Sequence, residues 1–316
     1  MQVTNTILMV RPRGFRMNEQ TAVNNFFQED LKLRNATINA MALEEFDAFI
    51  DVLKAKGIHV VVVDDNPDTD TPDAIFPNNW VSFHEEGTVG LYPMFAKNRR
   101  KERREDILDR LEDDDFVIEN LMDYTAAEEE GYFLEGTGSV VMDRVSKKAY
   151  CALSARADEE LFIEFCEDFE YSPVIFTAYQ TVDGKRMPIY HTNVMMCLGE
   201  RFAVICLASI DDKKERKNVV EHLKLDGKEI IAITEAQMHQ FAGNMLQLLG
   251  AFDQRYIVMS SAAFKSLTPT QLKNLEKHGE ILHSDLKTIE TCGGGSARCM
   301  IAEVFLPKQN RVYGKD

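Results

Sequence analysis

Long apolar runs, paired cysteines and basic charge are what this chain has least of, and each shortage closes off a class of function. The longest uninterrupted apolar stretches, such as Val60 to Val63 with Ile58 nearby, fall far short of the roughly 18 residues needed to span a bilayer, so no transmembrane helix is expected. Met1 to Arg11 holds no basic segment ahead of an apolar core and no small-residue cleavage site, which argues against a secretory signal and makes the cytoplasm the expected location. The six cysteines, at positions 151, 166, 197, 206, 292 and 299, form neither a CxxC pair nor a disulfide-like spacing, so free thiols are expected. The few histidines are widely spaced, and none joins cysteine or acidic residues in a zinc-like pattern. A formal net charge of -16 opposes binding to nucleic acid or an anionic membrane, since both demand a strongly basic surface. The one basic run, Lys97, Arg99, Arg100, Lys101, Arg103 and Arg104, reads as a solvated helix face neutralised by Glu102, Glu105 and Asp106.

What the chain does have is a repeat. Its 316 residues, 45% hydrophobic and 28% charged, suffice for one large domain or two average ones. Turn and periodicity signals outline a unit in which two strands joined by a tight turn lead into an amphipathic helix and a further strand. One copy runs from Asn79 through WVSF, a turn at Glu85-Glu86-Gly87, VGLYPM, a helix near 98–112 and FVIEN. A second starts at Glu135 with GTGSVVMD, continues through AYCAL and enters a helix over Glu159 to Phe169. The third starts at His191 with TNVMMCL and FAVICLA, then a helix near 213–223; the fourth at Asn244 with MLQLLG and RYIVMS, then a helix near 269–278. That last helix carries a capping box in Thr268 and Gln271, Pro269 at its first position and Gly279 as the expected C-cap. The fifth would begin at Cys299 with MIAEVFL and take Thr6 to Val10 as partner strand. Its helix would be Leu43 to Lys56, ended by Gly57, with His59 to Val63 as last strand.

The five starts are spaced by 56, 56, 53 and 55 residues, which argues for repeated supersecondary units. A ring closed by the two termini would remove free sheet edges and direct the equivalent starts toward one axis. Asn244 is the ambiguous member, because Thr234 to Gly250 also reads as one helix. The starts themselves are Asn79, Glu135, His191, Asn244 and Cys299. A thiol is a nucleophile, an imidazole moves protons, and a carboxylate orients an imidazole. Taken singly, such residues are more often packed or solvated than catalytic. Their shared phase in the repeat is what points to chemistry.

These motifs resemble the guanidino-group-modifying or pentein superfamily of arginine deiminases, dimethylarginine hydrolases and amidinotransferases, with the citrulline-utilisation hydrolase type the nearest in kind. Gly293-Gly294-Gly295-Ser296-Ala297-Arg298-Cys299-Met300 is similar to the family's glycine-rich segment ending in Cys-Met, with Cys299 rather than Cys292 in the nucleophile's place. Leu134-Glu135-Gly136-Thr137-Gly138 resembles its acidic-Gly-Gly-Asp element but departs at Thr137 and Gly138. Tyr190-His191-Thr192-Asn193 resembles its His-x-Asp element, and the stretch from Pro72 to Asn79, with Asp73 and Asn78, its Pro-x-x-x-Phe-x-x-Asp element. Arg156, in Leu153-Ser154-Ala155-Arg156, falls where the family carries an arginine that holds the substrate's α-carboxylate. Arg99 or Arg100 matches an arginine segment of the dimethylarginine hydrolases.

The resemblance implies a single α/β domain over residues 1–316, a five-bladed propeller of pseudo-fivefold ββαβ repeats closed by the terminal strands. It implies a Cys299 thiolate that attacks the central carbon of a guanidino or ureido group. His191, paired with Glu135, would serve as acid and then base, and Asp73, Asn78, Asn79, Asn193 and Arg156 would bind substrate. No metal or organic cofactor is needed. Asn79 and Asn193 stand where arginine deiminases carry two aspartates that clasp the cationic guanidinium. Neutral amides suit a neutral ureido group such as that of citrulline, while Asp73 keeps arginine-like substrates in view. The expected partner is a small-molecule amino acid, with a homodimer as the open oligomeric alternative, and neither nucleic acid nor membrane. Residues 14–25 are a candidate lid. An amidinotransferase, with an amine as acceptor, and a non-catalytic binder of the same fold are the competing readings; retention of Cys, His and Glu together argues against the binder. Beside a cationic imidazole, the Cys299 thiol would ionise below the roughly 8.5 of a free cysteine.

Overall fold

Each repeat becomes a small three-stranded sheet in which the second strand runs antiparallel to the first and the third lies parallel to the second. The structure, a computed structural model, describes residues 1–309; residues 310–316 of the expected domain lie outside the described residues. Among these, Val81–Phe83, Thr88–Leu91 and Asn120–Asp123 form one sheet, and Val140–Asp143, Lys148–Leu153 and Ser172–Thr177 a second. Met196–Leu198, Phe202–Ile205 and Glu229–Ala232 form a third, and Leu246–Leu249, Arg255–Ser260 and Glu280–Ser284 a fourth. The last joins the chain's two ends. Ala302–Glu303 pairs with Thr6–Arg11 in the register Ile7↔Glu303 and Leu8↔Ala302, and Thr6–Arg11 runs parallel to His59–Asp64. A hairpin turn suffices for the antiparallel step, whereas the parallel step needs a crossover, and a helix supplies it each time.

The helices form where apolar residues recur at helical spacing. Asn35–Ala55 buries Ile38, Ala42, Phe46, Phe49, Ile50 and Leu53, one stripe of an amphipathic helix, and Gly57 at φ +76° turns the chain out of it. Burying each such side chain contributes about 1.5–3 kcal/mol. Pro269–Glu276 has the Thr268–Gln271 capping box with Pro269 in its first turn. Gly279 is not its C-cap, however. That helix closes at Lys277, and glycine is needed at 279 because a Cβ there would lie 2.8 Å from the Arg255 carbonyl oxygen.

Other boundaries also move. The third strand of the first sheet is Asn120–Asp123, not FVIEN. Phe116 bridges to Lys308, and the Val117 N–H donates to the Pro307 carbonyl, so this stretch is tied to the C-terminal segment before the strand begins. Thr234 to Gly250 is not one helix. Thr234 caps only Glu235–Met238, and Phe241 at φ +60° ends any continuation before the strand at Leu246. The basic run is not a solvated face throughout: Arg99–Glu102 is a 3-10 turn that buries both Arg99 and Glu102, an ion pair turned inward. A hairpin, Tyr179–Val182 with Lys185–Pro188, interrupts the repeat between the second and third sheets. Its signal is Asp183-Gly184, both at positive φ, as a two-residue hairpin turn requires.

Asn79, Glu135 and His191 do not open strands. They sit at single helical turns, Pro77–Asn79, Gly136–Ser139 and Thr192–Val194, just before them. Hydrogen bonds stitch these turns together in order. Asn78 Nδ2 donates to Thr137 Oγ1 (3.2 Å), Thr192 Oγ1 to the Ser139 carbonyl (2.6 Å), Asn244 Nδ2 to the Asn193 carbonyl (2.9 Å), and the Arg298 N–H to Asn244 Oδ1 (3.1 Å). Fifth and first sheets meet through apolar packing of Leu8, Val10, Ala302 and Val304 with Val81 and Phe83.

Candidate active site

A helix end and three glycines set the position of Cys299. Lys287–Gly293 is capped by Gly294 in the left-handed region, φ +62°. Gly293 and Gly295 lie so close to the Phe76 ring that a Cβ on either would approach it to 2.7 and 3.0 Å. The chain then turns at Ser296, whose carbonyl accepts from the Cys299 N–H at 2.9 Å. The buried Cys299 Sγ receives N–H groups from Asn244 Nδ2 at 3.2 Å and Asn193 Nδ2 at 3.5 Å, and its own thiol points to Asn193 Oδ1 at 3.7 Å.

Facing it across a small cavity of about 10 Å³ are His191, Asn79, Asp73, Arg99, Arg156 and Tyr190. His191 Nε2 lies 2.7 Å from Glu135 Oε2. Burial pushes the Glu135 carboxyl up, but Arg156, the His191 hydrogen bond and Arg99 more than reverse this and hold it at about 2. Burial also outweighs Glu135 at His191 and lowers the imidazole to about 4. Near neutral pH the ring is therefore neutral: Nε2–H donates to the carboxylate, and Nδ1 is left as a base. The thiol expectation changes accordingly. Burial raises the Cys299 thiol, and the hydrogen bonds around it, from the Ser296 turn, Asn244 and Asn193, offset this only in part. Burial thus works against the charged form of both groups.

Gly138 accounts for the departure from the acidic-Gly-Gly-Asp pattern. A Cβ there would lie 2.3 Å from Asn79 Nδ2 and 2.8 Å from His191 Nδ1, so any side chain would displace one or both of these groups. Asn79 is held by Arg99, whose Nη1 donates to its Oδ1 at 2.8 Å while the rest of that guanidinium forks onto Glu102 at 2.9 and 2.8 Å. This fixes the amide with its NH2 group buried and without a protein partner. Asp73 is similar. Its Oδ2 accepts from Asn18 and Thr21 at 2.8 and 3.1 Å, while its buried Oδ1 has no partner.

Three expected binding residues sit differently from the sequence reading. Asn193 touches the sulfur but does not line the front cavity, and Asn78 is turned to Thr137. Arg156 is buried and already engaged. Its donors are taken by Glu135 (3.4 Å), the Thr21 carbonyl (2.9 Å) and Asn24. The segment around residues 18–28 thus covers the site, and Asn25 bonds the Gly293 carbonyl at 3.3 Å. Arg99, read both as part of a charged helix and as one of two candidates for an arginine of the dimethylarginine hydrolases, is the one of the two that reaches the cavity. Arg100 instead turns to the Met94 carbonyl and Glu128. Asn244 had its phase in the repeat as a signal but no motif, and Tyr190, whose hydroxyl bonds the Gly294 carbonyl, had only its place beside His191. Cys292 lies in the apolar cluster under the helix and does not line the cavity.

Solved structures share this fold. The apo form of ArgZ, an arginine dihydrolase from the ornithine-ammonia cycle in cyanobacteria, matches with a TM-score of 0.73 at 17% identity, over 98% of this chain and 42% of its own. Unliganded AgrE matches at 0.72 and 18%, over 97% and 40%. The chain thus spans about two fifths of each of these two proteins. A dimethylarginine dimethylaminohydrolase variant, in adduct with S-methyl-L-thiocitrulline, matches at 0.64 and 15%, over 96% and 100%. No curated protein sequence matches. The model of the eukaryotic N,N-dimethylarginine dimethylhydrolase family spans residues 11–306, and the chain belongs to that family, within the pentein superfamily of guanidino-modifying proteins.

Proposed function

We propose that this protein is a cysteine-dependent hydrolase of an amino acid bearing a terminal ureido or guanidino group, with the neutral ureido group preferred. One observation carries the preference: Arg99 occupies the Asn79 carbonyl, so the amide offers the cavity only N–H donors. A donor fits a carbonyl oxygen and leaves a guanidinium N–H without an acceptor. The unpartnered Asp73 oxygen is suited to the substrate's α-ammonium. Arg156 is suited to its α-carboxylate once the segment carrying Thr21 and Asn24 swings aside as a lid; a cavity of about 10 Å³ has room for about one water.

In this reading the thiol proton passes to His191 Nδ1 as Cys299 Sγ bonds to the group's central carbon. The imidazolium, steadied by Glu135, gives that proton to the departing nitrogen, and the C–N bond breaks. Water, deprotonated by the same imidazole, then adds to the carbon and releases the thiol. Asn193 and Asn244 stabilise negative charge on sulfur by the amide N–H groups they direct at it.

The same proposal places the five sheets as blades of one closed propeller in a single domain, supported by their common strand pattern and the bonds from turn to turn. Six cysteines without a disulfide among them fit a cytoplasmic location. A homodimer accompanies the proposal as an expectation for sedimentation to test. The function is tested by offering arginine, methylated arginine, citrulline and agmatine and measuring ammonia with identification of the amino-acid product. Release of ornithine from citrulline supports the ureido preference. Faster turnover of arginine overturns it, and transfer to an added amine in place of water makes the protein an amidinotransferase.

A further inference from the structure

Glu290 is a buried carboxyl that the mechanism above does not use. It lies in the helix Lys287–Gly293, one turn before the glycines, and its Oε1 accepts from Ser296 Oγ at 2.6 Å. Ser296 is fully buried, and its carbonyl accepts from both the Cys299 and Met300 N–H groups, at 2.9 and 3.3 Å. The Glu290 carbonyl accepts from the Gly294 N–H at 2.9 Å. One residue therefore holds both ends of the Gly294–Ser296 turn, its backbone fixing the start and its carboxyl the finish. A run of three glycines has little conformational preference of its own, so outside tethers decide where the sulfur stands, Glu290 beside Asn25, Tyr190 and Asn244.

Glu290 also lines a cleft of about 550 Å³, with Phe27, Thr291, Lys265 and Lys287. Burying a carboxyl here carries a desolvation cost that an amide or hydrophobe would avoid, so its presence calls for a function.

We infer that Glu290 is a positioning residue for the nucleophile: through Ser296 it fixes the turn from which the Cys299 thiol meets the substrate carbon. This rests on Cys299 being the nucleophile. A misplaced nucleophile loses rate rather than affinity, and two residues in one chain of contact lose it together rather than additively.

The test is steady-state kinetics of Glu290→Ala, Glu290→Gln, Ser296→Ala and the double alanine variant on whichever of citrulline or arginine the wild type turns over, beside trapping of the wild-type Cys299 adduct. Each alanine variant is expected to lower kcat by about tenfold or more with KM within about threefold. The double variant should be no slower than Glu290→Ala alone, and Glu290→Gln should recover most of the rate, because its amide oxygen still accepts from Ser296. Unchanged kcat in Ser296→Ala, losses that multiply in the double variant, or a change confined to KM would overturn the inference. Should Glu290→Ala fail to fold, Ser296→Ala and Glu290→Gln, which nearly keep the volume, decide it. A wild type that forms no Cys299 adduct contradicts the proposed function instead.

Discussion

At Asn79 a single atom separates two substrate classes. With Arg99 on its Oδ1, Asn79→Asp would keep that bond and turn a carboxylate oxygen toward the cavity in place of the NH2 group. Such an oxygen would offset guanidinium desolvation. The expected outcome is a ratio of kcat/KM for arginine over citrulline that rises by about tenfold or more; an unchanged ratio in an active variant contradicts the donor argument. Asn193 is not an equivalent position. A carboxylate there would face Sγ and hold the thiol protonated, so Asn193→Asp is expected to lower turnover on both substrates. The resting thiol gives a further expectation. Because burial raises it, alkylation of Cys299 by iodoacetamide in the free protein should be slow at pH 7 and quicken as pH rises past 9, about the ordinary thiol range. Fast, pH-independent labelling at pH 7 would restore the imidazolium–thiolate pair that the sequence suggested.

Among the elements, the turn Gly136–Ser139 and the helix Lys287–Gly293 carry the most information. Gly138→Ala is expected to leave the fold intact and to abolish most activity, since its Cβ meets Asn79 Nδ2 and His191 Nδ1; full activity in that variant would mean the ring sits elsewhere during catalysis. In the helix, burial raises the Glu290 carboxyl from its ordinary 4.5 to about 7. Between those values the native state keeps a proton that the unfolded chain has released, so stability falls as pH rises through this window. Glu290→Gln removes that loss. The fall in Tm between pH 5 and pH 8 should be smaller in the variant than in the wild type, and equal falls would contradict it. Much of this was legible beforehand: the capping box at Thr268, the turn at Gly87, and the strand-helix order all follow from local rules that act within a few residues. What was not legible depends on tertiary contact. Nothing local separates Arg99 from Arg100 until Glu102 and Asn79 enclose the former. The thiol looks activated until the burial of both partners is known.

On the scale of the whole molecule, the repeat predicts more than the motifs do. Residues 53 to 56 apart in sequence come together because Asn79, Glu135 and His191 belong to or cap the helical turn ahead of their sheet's first strand, and the pairing of Ala302–Glu303 with Thr6–Arg11 brings Cys299 into that set. The net charge of -16 plays no part in the site, whose arginines are matched by buried carboxylates. The central claim, that these convergent residues make Cys299 a covalent catalyst, is tested most directly by mass spectrometry of acid-quenched protein during turnover of citrulline. A covalent step at Cys299 gives a transient mass increase on the peptide containing Cys299, absent from Cys299→Ser, which should be folded and inactive. Full activity in Cys299→Ser, or steady turnover with the adduct on another cysteine, would contradict it.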